Sequence, residues 1–383
     1  MLASIRKGKP FARRRRKATG PSGVAGLPKM KRSTLLLTLV VTVLLPLGGT
    51  LVWFEMPRVA GGAGTAGALS SVNPQDLALS WGVKRIDAPQ AWQYTTGSQE
   101  IVVAVIDSGI DASVMQLAGK IWTNSREIPG NGIDDDKNGY VDDVHGWDFR
   151  NTSSVDTTPI HWHGTFVAGI IAAQATADGV AGVAPGVRIM DLRVLDSKNL
   201  FYSTDWPKLA AAVDYAVKNG ARIINLSIYS NGKPPLVFEE AISRAIGGGV
   251  IVVGIAGNDG KNAVSYPGKY PGVLAVSATD QSDHLSSFSN YGSEVAVAAP
   301  GEEVTSLRPG GAAATSSGTS FAAPHVAGTL ALILSENPRL TAQEAISALK
   351  TSAVDLGVAG RDPQFGSGLI NADRAVAGAQ NRN

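Results

Sequence analysis

The sequence predicts an α/β fold: a doubly wound, mostly parallel sheet with helices on both faces, preceded by one N-terminal transmembrane helix. Three observations predict it. Five apolar runs end in polar or glycine turns, and near-continuous apolar strands are what a parallel sheet covered on both faces requires. Helical patterns lie between those runs, and strand–helix alternation at this spacing places a site at the carboxyl ends of the strands. Composition agrees: 44% hydrophobic residues with 44 Gly and 20 Pro in 383 residues suit a globule with many tight turns.

In chain order, residues 1–32 form a basic tail. They hold eleven of the 34 Lys and Arg and no acid, so 23 bases face 32 acids in the remainder, which carries −9 although the whole chain is at +2. That acidic body has no basic patch interleaved with aromatics, which excludes nucleic acid as a partner. Residues 33–54 are uncharged, and Leu35–Leu45 is built of Leu, Val and Thr. About 20 apolar residues span a bilayer, whereas the core of a cleavable signal is about 7–15. Lys29, Lys31, Arg32 and Arg13–Lys17 precede the segment, with Glu55 and Arg58 after it. That asymmetry sets the N-terminus in the cytoplasm and exports the globular part, anchored to the membrane through this helix. A second reading stands beside it: Ala66-Gly67-Ala68 is a small-x-small site, and cleavage near Ala68 would make the segment a signal peptide and the product secreted. Residues 55–72 are a Gly/Ala-rich linker without apolar period. There is no cysteine, so no disulfide staples the exported part, and its stability must come from core size and bound metal.

Residues 73–379 form the globular domain. Strands are expected at Ile101–Ile106, Val187–Leu195, Ala221–Leu226, Val250–Ile255 and Val273–Ala278. Helices are expected at Thr165–Gln174, Asp205–Lys218, Pro235–Ile246 and Ser320–Glu336, with closing helices at Thr341–Lys350 and Ala372–Ala379. Three short motifs sit where these elements meet: Asp107-Ser108-Gly109, His163-Gly164-Thr165, and Gly318-Thr319-Ser320-Phe321-Ala322-Ala323-Pro324-His325. A serine hydroxyl needs an imidazole to take its proton, and the imidazole needs a carboxylate to fix its tautomer. Asp107 ends a strand, where it could also simply cap a turn. His163 opens a helix, and the following glycine lets the backbone approach closely. Ser320 begins a helix, where free N–H groups favour developing negative charge. Pro324 is expected in the first turn, where a missing N–H is not missed. Of the other histidines, His161 reads as cleft rim, His325 as structural, and His145 and His284 as loop residues.

The order Asp, His, Ser distinguishes this set from the Ser, acid, His order of α/β-hydrolases and the His, Asp, Ser order of chymotrypsin-like enzymes. On these motifs the chain resembles the subtilisin-like serine proteases, the subtilases, from about Asn73 to Ala379. The resemblance implies a serine endopeptidase acting on polypeptide substrates through an acyl-enzyme. Ser320 is then the nucleophile, His163 the general base and acid, Asp107 its orienter, and Asn258 a side-chain donor to the oxyanion. The alternative is a catalytically silent subtilase-fold protein that binds peptides at the cell surface. A sedolisin-like acid peptidase would carry Glu where His163 stands. A calcium-dependent surface adhesion protein is the rival from another class.

The insert at 128–149 contains Asp134, Asp136 and Asn138 at alternate positions, then Gly139, as in the first half of an EF-hand-type loop. Tyr140 and Asp142 complete the expected ligand set for a structural Ca²⁺. The usual closing Glu is absent, since His145 stands at the twelfth position. In the resemblance, substrate lies as an extended strand between two backbone edges. One edge, normally Ser-Leu-Gly-Gly, reads Ser227-Ile228-Tyr229-Ser230. The facing wall, normally Ala-Ala-Gly-Asn, reads Ile255-Ala256-Gly257-Asn258, and the second edge, normally Gly-x-Gly, gives way to Lys198-Asn199-Leu200-Phe201. Tyr229 and Ile255 are therefore expected to narrow the P1 pocket towards small residues.

Overall fold

The computed structural model describes residues 80–155, 161–175 and 180–380. The tail at 1–32, the apolar segment at 33–54 and the linker at 55–72 lie outside them. Among the described residues, no helix is long and apolar enough to cross a membrane.

Eight strands form one sheet. They are β1 (Val102–Asp107), β2 (Gly146–Asp148), β3 (Ser153–Ser154), β4 (Arg188–Arg193), β5 (Ile223–Leu226), β6 (Ile251–Ile255), β7 (Leu274–Thr279) and β8 (Val295–Pro300). Their order is β3-β2-β4-β1-β5-β6-β7-β8. All pairs are parallel except β2 with β3, which is antiparallel. The chain leaves β1 to build one flank and crosses it between β4 and β5 to build the other. The carboxyl ends of β1, β4 and β5 therefore border the switch point at which open α/β sheets bind ligands.

Two short helices, α1 (Trp81–Arg85) and α2 (Ala88–Ala91), precede β1. The continuous apolar runs have a plain cause. Val103 and Val105 of β1 pack into a core shared with α3 (Trp162–Ala172) and α6 (Thr319–Glu336). Val102, Ala104 and Ile106 face a second core, shared with α4 (Trp206–Lys218) and α5 (Leu236–Gly247). Every residue of β1 is consequently buried, as a strand covered on both faces requires. Helix α6 runs through the first core and is buried on every side from Thr319 to Leu334, which fixes its N-terminus, and Ser320 with it.

Several elements differ from expectation. β8 was not anticipated; its short Val-Ala-Val-Ala-Ala stretch gives little bulk to recognise. The strands β9 (Val304–Leu307) and β10 (Ala313–Ser316) form a separate antiparallel hairpin leading into α6. Helix α3 begins three residues earlier than the pattern suggests, because the His161 side chain caps it by accepting from His163 N at 3.3 Å. Pro324 is the sixth residue of α6 rather than a first-turn residue. Its missing N–H leaves the Ser320 carbonyl without its i+4 donor, and Ser227 Oγ takes that place at 2.8 Å.

Candidate active site

Asp107 ends β1 and is 1% exposed. Its backbone carbonyl accepts from Val194 N and Leu195 N, and its Oδ1 accepts from Ser108 N at 2.7 Å. His163 Nδ1 stands 2.9 Å from both Asp107 Oδ1 and Oδ2. A buried carboxylate there fixes the tautomer with the proton on Nδ1 and leaves the Nε2 lone pair as the basic site. Close backbone approach makes this possible. A Cβ on Gly164 would lie 2.4 Å from Gly109 O, so only glycine lets α3 start against the Asp107 turn. Gly164 N also donates to Ser108 Oγ, which in turn donates to His161 O.

Ser320 is the second residue of α6 and 9% exposed. Its N–H belongs to the first helical turn, whose donors have no intrahelical acceptor. Ser320 Oγ donates to Ser227 O at 3.1 Å, while Ser227 Oγ donates back to Ser320 O and accepts from Asn225 Nδ2 at 2.9 Å. The two serines thus clasp each other.

Asn258 follows β6. Its Oδ1 accepts from Thr319 N at 2.8 Å and from Thr319 Oγ1 at 2.9 Å. An amide oxygen held by a backbone donor fixes which way the amide faces, with Oδ1 towards Thr319. Gly257 must be glycine: its φ is +112°, and a Cβ would meet Asn290 Nδ2 at 2.4 Å and Ser265 Oγ at 2.5 Å.

The remaining histidines have other work. His325 is fully buried with Nδ1 on Phe321 O at 2.8 Å, and burial pushes its pKa down to about 4. Burial, followed by the neighbouring His163, lowers that of His161. His145 and His284 are exposed, the first on Trp122 O and the second beside Asp280.

The expected substrate edges are largely buried and hydrogen-bonded. Ser230 exchanges two backbone hydrogen bonds with Tyr266. Ser227, Ile228, Ile255 and Ala256 are buried, and Ala256 N and O are engaged by Val276 and Ser265. Tyr229 is only 8% exposed and belongs with Ile255 to the core around α6; burial first, then Asp259, pushes its pKa up to about 12. Asn231 Nδ2 donates to Asp259 Oδ2 at 2.9 Å. In place of the second edge, Leu200 N donates to Asp196 Oδ1 at 2.9 Å and Leu200 O accepts from Asp196 N. That loop closes on itself through its backbone, while the buried Asn199 side-chain amide has no hydrogen-bond partner among the described residues.

The acidic insert brings together only part of the expected metal set. Carboxylate oxygens of Asp134, Asp136 and Glu127 lie within 4.8 Å of one another. The Asn138 side chain is spent on Asp143 and on Tyr140 N. The Tyr140 ring packs edge-on against Trp147 and Tyr215, each at 5.0 Å. The Asp142 carboxylate accepts from Asn131 N and Gly132 N. Glu127 was missed because an EF-hand pattern seeks its closing Glu after the loop, whereas here it precedes the loop and also accepts from Asp136 N and Asp142 N.

Comparison with known proteins agrees with this geometry. Residues 98–368 match the model of the subtilase family. Thermitase of Thermoactinomyces vulgaris is 36% identical over 308 residues, 79% of this chain and 98% of the relative. Subtilisin Savinase of Lederbergia lenta is 34% identical over 299 residues, 78% of this chain and 98% of the relative. Alkaline elastase YaB of Bacillus sp. (strain YaB) is 35% identical over 299 residues, 78% of this chain and 70% of the relative. By the family match over residues 98–368 and these identities, the chain belongs to the subtilase family and is a subtilisin-type serine peptidase.

Proposed function

We propose that Ser320, His163, Asp107 and Asn258 carry the peptidase reaction. The observation that supports it is the buried His163–Asp107 pair beside the N-terminus of α6, 2.9 Å from Nδ1 to either carboxylate oxygen. Ser320 Oγ leaves the Ser227 carbonyl, gives its proton to His163 Nε2 and attacks the substrate carbonyl carbon. The carbonyl π bond becomes an oxyanion, which Asn258 Nδ2 and Ser320 N–H receive. His163 returns the proton to the amine nitrogen as the C–N bond breaks, leaving an acyl-serine. Water then repeats the sequence and frees the acid. A fluorophosphonate probe should label the wild-type chain with loss of peptidase activity, and Ser320→Ala should lose both labelling and hydrolysis while keeping its melting temperature. An active Ser320→Ala chain would remove Ser320 from the role.

Three finer features belong to the same reading. The P1 pocket is restricted to small side chains, which the inward packing of Tyr229 and Ile255 supports. Asp134, Asp136 and Glu127 hold a structural Ca²⁺, because an all-oxygen carboxylate set suits a hard cation. Asn138, Tyr140 and Asp142 shape the loop around it. The uncharged stretch at 33–54 anchors the enzyme with its catalytic part outside; recovery of a soluble exported form beginning near Leu69 would show a cleaved signal peptide instead.

A further inference from the structure

Arg308 stands at the end of β9 with its guanidinium carbon 4.5 Å above the Trp162 ring. Arg85, Arg126, Arg150, Arg193 and Arg244 each meet a carboxylate. Arg308 is exposed and has no carboxylate partner among the described residues. Its position is fixed from three directions. Arg308 N donates to Ala312 O and Gly311 N to Arg308 O, closing the hairpin tip. Gly310 N donates to Asp111 Oδ2 at 2.8 Å, and Asp111 N donates to Thr165 Oγ1 of α3 at 2.9 Å. The Trp162 ring is itself held between neighbours, 5.8 Å from the His163 ring and 6.3 Å from Phe321.

We propose that Arg308, laid on Trp162, is a specificity residue that recognises an Asp or Glu side chain of the substrate close to the scissile bond. This rests on the peptidase reading of the site. A guanidinium stacked on an aromatic face keeps its N–H edge free for bidentate pairing with a carboxylate, and the stacking restrains the side chain before substrate arrives. Ser320 bonds to Ser227 and its neighbour Thr319 to Asn258, while Phe321, next along α6, packs against His163 and against the Trp162 ring that carries Arg308. The guanidinium carbon can be no farther from the His163 ring than the two ring distances laid end to end. An extended peptide advances about 3.3 Å per residue, so a carboxylate on Arg308 falls within about three residues of the bond being cut.

The test is kcat/KM of the full-length chain on a peptide series in which one position at a time, from P3 to P3′, is Glu or Gln. Wild type should prefer Glu over Gln at one of these positions by about tenfold, and the ratio should shrink as ionic strength rises. Arg308→Gln should bring that ratio to about one, and Arg308→Glu should invert it in favour of Lys at the same position. If wild type cuts the Gln peptides but shows no Glu preference anywhere, the inference is overturned while the peptidase reading stands. A preference that survives Arg308→Gln also overturns it. If no peptide is cut, the peptidase reading falls and the inference with it.

Discussion

Replacing Gly164 by alanine tests whether the His163–Asp107 geometry depends on backbone contact between α3 and the Asp107 turn. The added Cβ would stand 2.4 Å from Gly109 O, 3.1 Å from Gly109 C and 3.2 Å from Gly109 N. Carbon and oxygen in ordinary contact are about 3.3 Å apart or more, so the elements must separate by close to 1 Å, and all three contacts are backbone atoms that cannot swing aside. Asp107 and His163 sit on opposite sides of that contact. Their 2.9 Å hydrogen bonds would lengthen beyond the range at which they hold the imidazole. A 1 Å misplacement of a reacting group costs about 10²-fold in rate, and overpacking costs about 1–3 kcal/mol of stability. Gly164→Ala should therefore lower kcat by about two orders of magnitude per folded molecule, with a modest fall in melting temperature. The control is Gly247→Ala at the end of α5, where a Cβ meets nothing within 4 Å; it should leave kcat unchanged and stability equal or slightly higher. The assay is steady-state hydrolysis normalised by active-site titration. A Gly164→Ala enzyme with wild-type kcat would refute the argument that this contact sets the geometry.

Other perturbations read other parts of the molecule. Chelation of Ca²⁺ should lower the melting temperature of wild type but have little effect on Glu127→Gln, since a ligand bound only by the native state stabilises it by mass action; equal shifts in both would place the metal elsewhere. Tyr229→Gly should widen P1 selectivity, raising kcat/KM for Phe relative to Ala by about tenfold or more, and a P1 library with the same ranking for both enzymes would show that Tyr229 does not line the pocket. His325 has a pKa lowered from 6.5 to about 4 by burial, and its Nε2 has no hydrogen-bond partner among the described residues. As pH falls from 6.5 towards 4 the unfolded chain takes up a proton that the native chain refuses, so stability declines across that window, by about 3 kcal/mol in all. Unfolding free energies measured from pH 7 to 4 should decline less steeply for His325→Gln; parallel curves would assign the acid sensitivity to other groups.

Sequence showed most where one physical constraint acts on neighbouring residues. The five expected strands could be read because a sheet buried on both faces demands unbroken apolar runs, and each then ends at the carboxyl edge where polar residues begin. Asp107, His163 and Ser320 stood out for a related reason, each lying just beyond such a run or at the mouth of a helix, whereas Asn258 was read from the family resemblance. Where the determining partner is distant in the chain, the pattern carried no trace. Pro324 looked like a first-turn proline, yet its effect depends on Ser227, which supplies the donor that Pro324 lacks. Glu127 lies one residue before the insert as the sequence delimits it, and only the folded loop sets it against Asp134 and Asp136. The β9–β10 hairpin turns on Pro309-Gly310-Gly311 but has no apolar run to mark its strands, and nothing in the linear order pointed to Arg308 meeting Trp162. The chemistry of this fold is local at each element end and therefore legible. The selectivity proposed for it rests on pairs far apart in the chain, Tyr229 with Ile255 for the P1 pocket and Arg308 with Trp162 for an acidic side chain, and there the fold had to be seen first.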